Sequence, residues 1–398
     1  MGILRIAGVA AFVLLGIKYL RPGGIPLFSI AVLFIMIGAL NTRYRNQLGT
    51  HARMLFAVFA CYFFLQLVDL LRSADFQQSV SDLIKYLGLI VSLILFSLFY
   101  RYQRLMSDTR VFAILASLLL LYFFFNSLLV LKSGFLSADL FIRTEKGKNG
   151  LAMFSAIVFI VSFWMLVSTS IRYRYLYFLP CIFISISSLI YTQSRGAFFV
   201  LLISSLLVYV LFLYRRSGER LYRLFKMSVA IGLFVVFLMY VFTAFNFFDE
   251  KAYFEQLTSL GTGRLTGSDE ARRSLLEKGW RLFIDNPIVG IGTHNFEYRY
   301  ELLTHNQYLQ FAAENGFFMA IAVIIVFLLI TSNFFRRQKA NSSNTLFHIA
   351  FNTSLFIFIY FIFINAYDSI LTEFCLIIGA RVLDDSNPYT NKNLNVPA

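Results

Sequence analysis

The chain has 398 residues, of which 59% are hydrophobic and only 14% are charged. Soluble domains are typically about 45–50% apolar and about 25% charged, so this composition excludes an ordinary soluble fold. The net charge of +14 does not indicate nucleic-acid binding, because the basic residues are spread over short connections and do not cluster on one domain. The sequence therefore predicts an all-α integral membrane protein, without the alternating pattern of a β-barrel.

Apolar segments of membrane-spanning length recur along the chain and predict about 12 spans. They are residues 3–20, 25–40, 54–71, 83–99, 110–131, 150–169, 173–191, 196–214, 225–245, 314–335, 347–366 and 369–384. Lys and Arg are more frequent in every second connection, which places both termini in the cytoplasm by the positive-inside rule. The first span lacks a small-residue cleavage site, so we interpret it as a retained helix and not as a signal peptide.

One outer connection is much longer than the others. The predicted organisation is therefore spans 1–9 in residues 1–245, a periplasmic loop in 246–304, spans 10–12 in 305–385 and a cytoplasmic tail in 386–398. Loops of that length in a compact protein are usually functional. This loop is the first place to look for a site.

The loop contains one helical pattern, from Glu270 to Asp285. Its predicted buried face consists of Leu276, Gly279, Trp280 and Phe283. Arg272 falls on the same face, and Arg273 lies at its edge. A cation on an inward face needs a partner, which a phosphate group would supply. The alternative is a helix that rests on lipid headgroups and binds their phosphates.

The segment that follows the loop, from Thr304 to Tyr308, carries a histidine next to an asparagine. Thr304 and Gln307 form a capping-box pattern, which predicts a helix that begins with His305 as its first residue. Imidazole is suited to proton transfer near neutral pH, so His305 is a candidate general base. His294 is a rival for this role. The structural alternative for His305 is hydrogen bonding to water or to headgroups at the membrane surface.

A second polar cluster, Thr192 to Gly196, separates two predicted spans. Ser194 fits an N-cap, which places Arg195 beside the free N–H groups of a helix start, where phosphates bind. The alternative is an ordinary arginine at the membrane surface. A basic patch with Arg143 and Lys148 in another outer loop could hold a second phosphate, although a solvated run of charges is the better explanation.

Three segments together resemble the O-antigen ligase and polymerase superfamily, the membrane glycosyltransferases of bacterial surface polysaccharides. Tyr191 to Ala197 is similar to the Ser-Arg-Gly segment of the family. Arg272 to Gly292 is similar to its pattern of Arg, then Pro, then Gly-x-Gly. His305 to Gly316 is similar to its His-Asn-x-Tyr-Leu signature. The order and spacing of the three segments carry the resemblance, since each motif alone is modest.

The resemblance implies a GT-C-like fold that transfers an undecaprenyl-diphosphate-linked glycan to lipid A–core oligosaccharide, without metal or cofactor. It implies that His305 deprotonates the acceptor and that Arg195 and Arg272 bind the diphosphate. Further substrate contacts are expected from Arg273, Gln193, Ser194, Asn306, Tyr308, Arg143, Lys148 and His294.

Other functions remain open at this point. An O-antigen or other surface-polysaccharide polymerase would use similar parts. A lipid-linked sugar transporter fits less well, because transporters usually carry ionisable groups near the membrane midplane, and the predicted spans contain few. A scaffold for polysaccharide assembly is a third alternative. The expected setting is the bacterial inner membrane with a periplasmic active site and membrane lipids as partners, and a homodimer is left open.

Overall fold

A computed structural model describes about half of the chain. The described residues are 49–72, 76, 80, 83, 109–111, 113–121, 145–168, 173–192, 194–214, 267–293, 295–302, 304–337, 344–362, 379–380 and 382–383. The predicted spans 3–20, 25–40 and 225–245, most of 83–99 and 369–384, the first part of the long loop and the tail therefore lie outside the described residues. The predicted count of 12 spans stays a prediction.

Within the described ranges, all regular secondary structure is helical. The helices are α1 (Thr50–Asp69, followed by a 3₁₀ turn at Leu70–Arg72), α2 (Glu145–Ser168), α3 (Arg174–Tyr191), α4 (Arg195–Tyr214), α5 (Gly267–Asp285), α6 (Asn295–Tyr300), α7 (Gln307–Arg337) and α8 (Thr345–Tyr360). Residues 109–111 and 113–121 are also helical.

Helices α1 to α4 and α8 occupy the segments predicted as spans, with ends that differ by a few residues. Helix α5 confirms the predicted loop helix and begins three residues earlier than expected. Helix α7 begins at Gln307, two residues after the predicted helix start at His305, and it includes the apolar span predicted from 314. Its polar first turns, which a hydropathy pattern does not include in the span, are stabilised by contacts with the loop.

Helix α2 lies at the centre of the bundle and packs against α3, α4 and α8. Every residue from 152 to 166 is buried, as expected for a helix that is apolar on all sides. Near its end, Trp164 stacks on the His348 ring of α8 with ring centroids 4.7 Å apart, and Phe212 of α4 meets Trp164 edge-on. These aromatic contacts hold the three helices together.

Among the described helices, two are long and apolar enough to cross a membrane, at Asn149–Val167 in α2 and along α7. At about 1.5 Å per residue, the 19 residues in α2 span roughly the 30 Å of a hydrocarbon core. Helices α1, α3, α4 and α8 contain shorter apolar stretches. Helix α7 also keeps one apolar side exposed, at Ile325, Leu328 and Leu329, which is typical of a lipid-facing surface.

Candidate active site

The chain segment that follows α5 pairs with a break in α7. Gly316 interrupts α7 with φ 81° and ψ 178°, which leaves backbone groups on either side without helical partners. The Ile291 and Gly292 N–H groups donate to the carbonyls of Ala313 and Glu314, both at 2.9 Å, and the Phe317 N–H donates to the Pro287 carbonyl at 2.8 Å. The loop therefore supplies the hydrogen bonds that the broken helix lacks.

Two glycines make this backbone pairing possible. A Cβ on Gly316 would lie 2.1 Å from the Ile288 carbonyl oxygen, and a Cβ on Gly290 would lie 2.3 Å from the Glu314 carbonyl. Gly290 also has a positive φ of 69°, a conformation that glycine adopts without steric cost. Close backbone approach thus explains Gly290 of the Gly-x-Gly pattern, and Gly292 also has a positive φ, of 97°.

Arg72, at the end of α1, fastens the same loop from another side. Its guanidinium donates to the Gly290 carbonyl at 2.7 Å. The Asn295 side-chain amide donates to the Arg72 carbonyl at 3.1 Å and to the Ile291 carbonyl at 2.7 Å. Sequence reasoning treated Arg72 only as one charge in an outer connection, because nothing local links residues more than two hundred positions apart.

The predicted capping box at Thr304 is wrong. The N-cap of α7 is Asn306, whose Oδ1 accepts from the Leu309 N–H at 2.9 Å, and the helix begins at Gln307. Thr304 instead closes a turn around His305, because its Oγ1 donates to the Asn306 carbonyl at 2.8 Å. His305 sits in this turn with φ 58°. It therefore precedes the helix and is not its first residue, and its side chain is partly exposed.

A buried polar chain ties this turn to the rest of the site. The Thr304 N–H donates to Gln310 Oε1 at 3.2 Å, and Gln310 Nε2 donates to Glu314 Oε1 at 2.6 Å. The same carboxylate oxygen accepts from the Phe296 N–H at 3.3 Å. Thr304, Gln310 and Glu314 are all fully buried. Gln310 of α7 therefore links the His305 turn to Glu314, which in turn binds the start of α6 at Phe296.

Helix α5 approaches the His305 turn most closely at Gly279. A Cβ there would lie 2.9 Å from Thr304 Cγ2 and 3.2 Å from Leu309 Cδ2. The face of α5 that packs inward carries Leu275, Gly279 and Leu282. The prediction that Trp280 belongs to this face is wrong, because its side chain is 55% exposed. The predicted face was rotated by about one residue, since two apolar stripes lie side by side on this helix.

Arg272 and Arg273 have different surroundings. Arg272 is exposed, and it continues the line of Leu275 and Gly279 toward the start of α5, about 10 Å along the axis from Gly279. Arg273 points to another side of the helix, where its Nε lies 3.2 Å from Glu277 Oε1 in an exposed ion pair. Of the two arginines, Arg272 is the one on the face that packs against the His305 turn.

The end of α8 connects the starts of two other helices. The Tyr360 hydroxyl lies near the Ser194 side chain, directly before α4, and it donates to the Asn149 carbonyl of α2 at 3.4 Å. The next carbonyl, of Phe361, accepts from the Gln307 N–H at 2.9 Å. Ser194 adjoins Arg195, and Gln307 is two residues from His305. The structure therefore brings the Ser-Arg-Gly and His-Asn segments to the same end of the bundle.

Tyr308 and Asn306, expected to contact substrate, have structural partners. The Tyr308 hydroxyl donates to the Phe358 carbonyl of α8 at 2.8 Å, and Asn306 caps α7. Sequence reasoning missed Tyr360 and Phe361, which lie in an aromatic-rich span without a motif. Arg143, Gln193 and His294 lie outside the described residues, as do the side chains of Lys148 and Arg195. The backbone of Arg195 begins α4, as predicted.

The described helices thus define a class of protein: an all-helical bundle with long apolar helices, in which α7 packs against α5 and α8, and α8 packs against α4, with polar residues at the start of α7. Residues 180–324 match the family model described as O-antigen ligase (Wzy_C). Members of that family are membrane glycosyltransferases, either ligases or polymerases. The matched segment begins in α3 and ends just past the middle of α7, so it contains all three motifs. No curated protein matches the chain.

Proposed function

We propose that the chain is an O-antigen ligase that transfers a glycan from undecaprenyl diphosphate to lipid A–core oligosaccharide. The observation that supports this most directly is the link through Tyr360 and Phe361, which gathers the starts of α4 and α7 at one end of the bundle. The contact of Gly279 with Thr304 adds the arginine-bearing face of α5 to the same end. One base and two arginines would therefore surround a shared pocket.

In the proposed mechanism, the acceptor hydroxyl attacks the anomeric carbon while the bond from that carbon to the diphosphate oxygen breaks. The configuration at this carbon is inverted by the single displacement. His305 takes the proton of the hydroxyl, a contribution typically worth about 10²–10⁴-fold in rate. Arg195 and Arg272 stabilise the charge that develops on the leaving diphosphate, as fixed cations do where charge appears in a transition state.

The proposed setting follows from the predicted topology. Both termini would be cytoplasmic, and the polar cluster would face the periplasm, at the outer leaflet of the inner membrane. The two lipid-anchored substrates would then meet in one cleft, and holding them in place lowers the barrier further. Arg143 and Lys148 would lie at the rim of this cleft, and His294 stays a rival for the role of base.

Burial within the described helices favours an enzyme over a transporter. Among the described residues, Glu314 is the only fully buried Asp, Glu, Lys or Arg, and it lies at the polar end, where it contacts Gln310. The middle of the bundle carries small neutral groups instead, such as Asn352, whose Nδ2 donates to Ser205 Oγ at 3.2 Å. Ion- or proton-coupled transport usually needs charged groups near the midplane.

The function is tested by deleting the gene and comparing lipopolysaccharide on a gel. A ligase leaves bare lipid A–core, because no O-antigen is attached. A polymerase leaves core that carries one repeat unit, and this pattern would replace the ligase assignment. Purified protein, reconstituted with the lipid-linked donor and the core acceptor without an ion gradient, should form product. Failure of both assays would contradict a glycosyltransferase.

The two adjacent arginines offer a matched pair for the diphosphate contact. We expect Arg272→Ala to raise the KM for the lipid-linked donor at least about tenfold, as loss of a charge-assisted hydrogen bond would. Arg273→Ala should change it less than about threefold, because that guanidinium is paired with Glu277 at the surface. Equal effects of the two substitutions on KM in the reconstituted assay would contradict the assignment to Arg272.

A further inference from the structure

One side of α5 changes from charged to apolar along its length. Arg273, Glu277, Trp280 and Ile284 follow one another at helical spacing on this side. The first two form the exposed ion pair. The last two are large apolar side chains, 55% and 57% exposed. Exposing two large apolar side chains beside each other at one end of a helix is unfavourable in water. It is favourable where that end of the helix enters a membrane.

The exposed apolar side chains continue beyond the end of α5. Ile288 and Val289 are 66% and 51% exposed, and their backbone lies directly against Gly316 in the break of α7. The two residues after that glycine, Phe317 and Phe318, are 48% and 70% exposed. The turn after α5 and the restart of α7 therefore present four neighbouring apolar side chains to the exterior.

This surface is continuous with the exposed side of the long apolar helix. The exposed apolar residues Ile325, Leu328 and Leu329 lie seven, ten and eleven positions after Phe318 along α7. In a membrane-spanning helix, exposed apolar residues of this kind face lipid. The apolar surface of the turn thus extends the lipid-facing stripe of α7 beyond Phe318 and does not form a separate patch.

We propose that the C-terminal half of α5 and the turn that follows it, residues 280–289, insert into the lipid bilayer next to α7. Trp280 lies at the level of the headgroups, where tryptophan is enriched, and Ile284, Ile288 and Val289 contact acyl chains. The charged first half of α5 stays in the aqueous phase, and Lys278 stays on the protein, where its Nζ lies 4.8 Å from the centre of the Tyr300 ring. The helix is consequently tilted into the membrane, as an amphipathic segment.

The lipid bilayer is a better occupant than a second copy of the chain. The exposed surface lies next to the lipid-facing stripe of α7. In the row of α5 formed by Arg273, Glu277, Trp280 and Ile284, the charged and apolar residues are ordered along the helix axis as headgroup and acyl regions are, and the exposed Arg281 and Asp285 lie outside this row. The proposal concerns how α5 is held, and it does not depend on which glycan the protein transfers.

Tryptophan fluorescence tests the proposal, because the chain has only two tryptophans and Trp164 is fully buried. Full-length protein with Trp164→Phe is reconstituted in phosphatidylcholine vesicles with bromine on the acyl chains, near either the glycerol or the methyl end. We expect bromine near the glycerol end to quench Trp280 severalfold more strongly. Equal, weak quenching by both lipids, with strong quenching by aqueous iodide, would overturn the proposal.

A second measurement avoids substitution of the core tryptophan. A spin label is placed at Ile288→Cys or, as control, at the exposed Ser274→Cys, after replacement of the three native cysteines. Oxygen should relax the label at 288 more than a water-soluble nickel chelate does, with the opposite order at 274. The result at 288 should not change with the ratio of protein to lipid. The same order at both sites, or oxygen contact that increases on dilution of the protein, would show that lipid does not cover this surface.

Discussion

His305→Asn should lower glycosyl transfer by about 10²–10⁴-fold, the usual worth of a general base, while the protein still folds and binds the donor. Asparagine suits this test because His305 has φ 58°, and asparagine is among the non-glycine residues that adopt this conformation most readily. Product formation in reconstituted vesicles measures the rate. A binding assay with the lipid-linked donor measures donor affinity, and thermal unfolding measures whether the protein is still folded.

His305→Ala serves as the comparison. Alanine also removes the imidazole, but it tolerates a positive φ less well than asparagine, so it should lose the same activity and some stability in addition. A His305→Asn protein with near-normal transfer would exclude His305 as the base. In that case His294→Asn becomes the decisive variant, since His294 is the rival imidazole, in the loop that precedes His305.

Gly316→Ala should destabilise the junction between the loop and α7 by about 3 kcal/mol or more. The backbone of Gly316, with φ 81° and ψ 178°, lies in a region that only glycine occupies readily, at a cost of about 1–3 kcal/mol for other residues. An added Cβ would also overlap the Ile288 carbonyl oxygen at 2.1 Å. We expect a lower midpoint of thermal unfolding in detergent, and faster proteolysis in residues 286–293.

Gly279→Ala is the matched control for this substitution. Gly279 lies in the regular helix α5, where alanine is favoured by about 1 kcal/mol, and its added Cβ would meet a side-chain methyl of Thr304 at 2.9 Å. The loss of stability should therefore be clearly smaller. A Gly316→Ala protein as stable and as resistant to protease as the Gly279→Ala protein would show that the backbone pairing is not needed.

The sequence was sufficient to predict most of the described helices, because their apolar runs and their flanking polar residues are local signals. The start of α7 shows where such signals become ambiguous. Thr304 and Asn306 are both good caps, and the choice between them depends on the turn at His305 and on the bond from Thr304 to Gln310. The capping box was therefore read two residues too early.

The arrangement of the candidate site depended on contacts that no local pattern encodes. Arg72 and Gly290 lie 218 positions apart in the chain. Tyr360 follows Ser194 by more than 160 residues and was hidden in a run of phenylalanines. For Trp280, the periodicity showed an amphipathic helix but not which of two adjacent apolar stripes faces the protein. The packing of Gly279 on Thr304 shows which of the two stripes faces the protein.

The pairing of residues 287–292 with 313–317 joins main chain to main chain, with no side-chain atom in its three hydrogen bonds. Such pairing depends little on the identity of most side chains in the segment, but it depends on the number of residues between the paired groups. Related proteins should therefore exchange one apolar residue for another at positions 288, 289 and 291, where Ile291 is buried, while keeping the spacing between Pro287 and Gly292. An inserted or deleted residue would shift the register by one and leave all three bonds unmatched, so this segment should evolve by replacement and not by change of length.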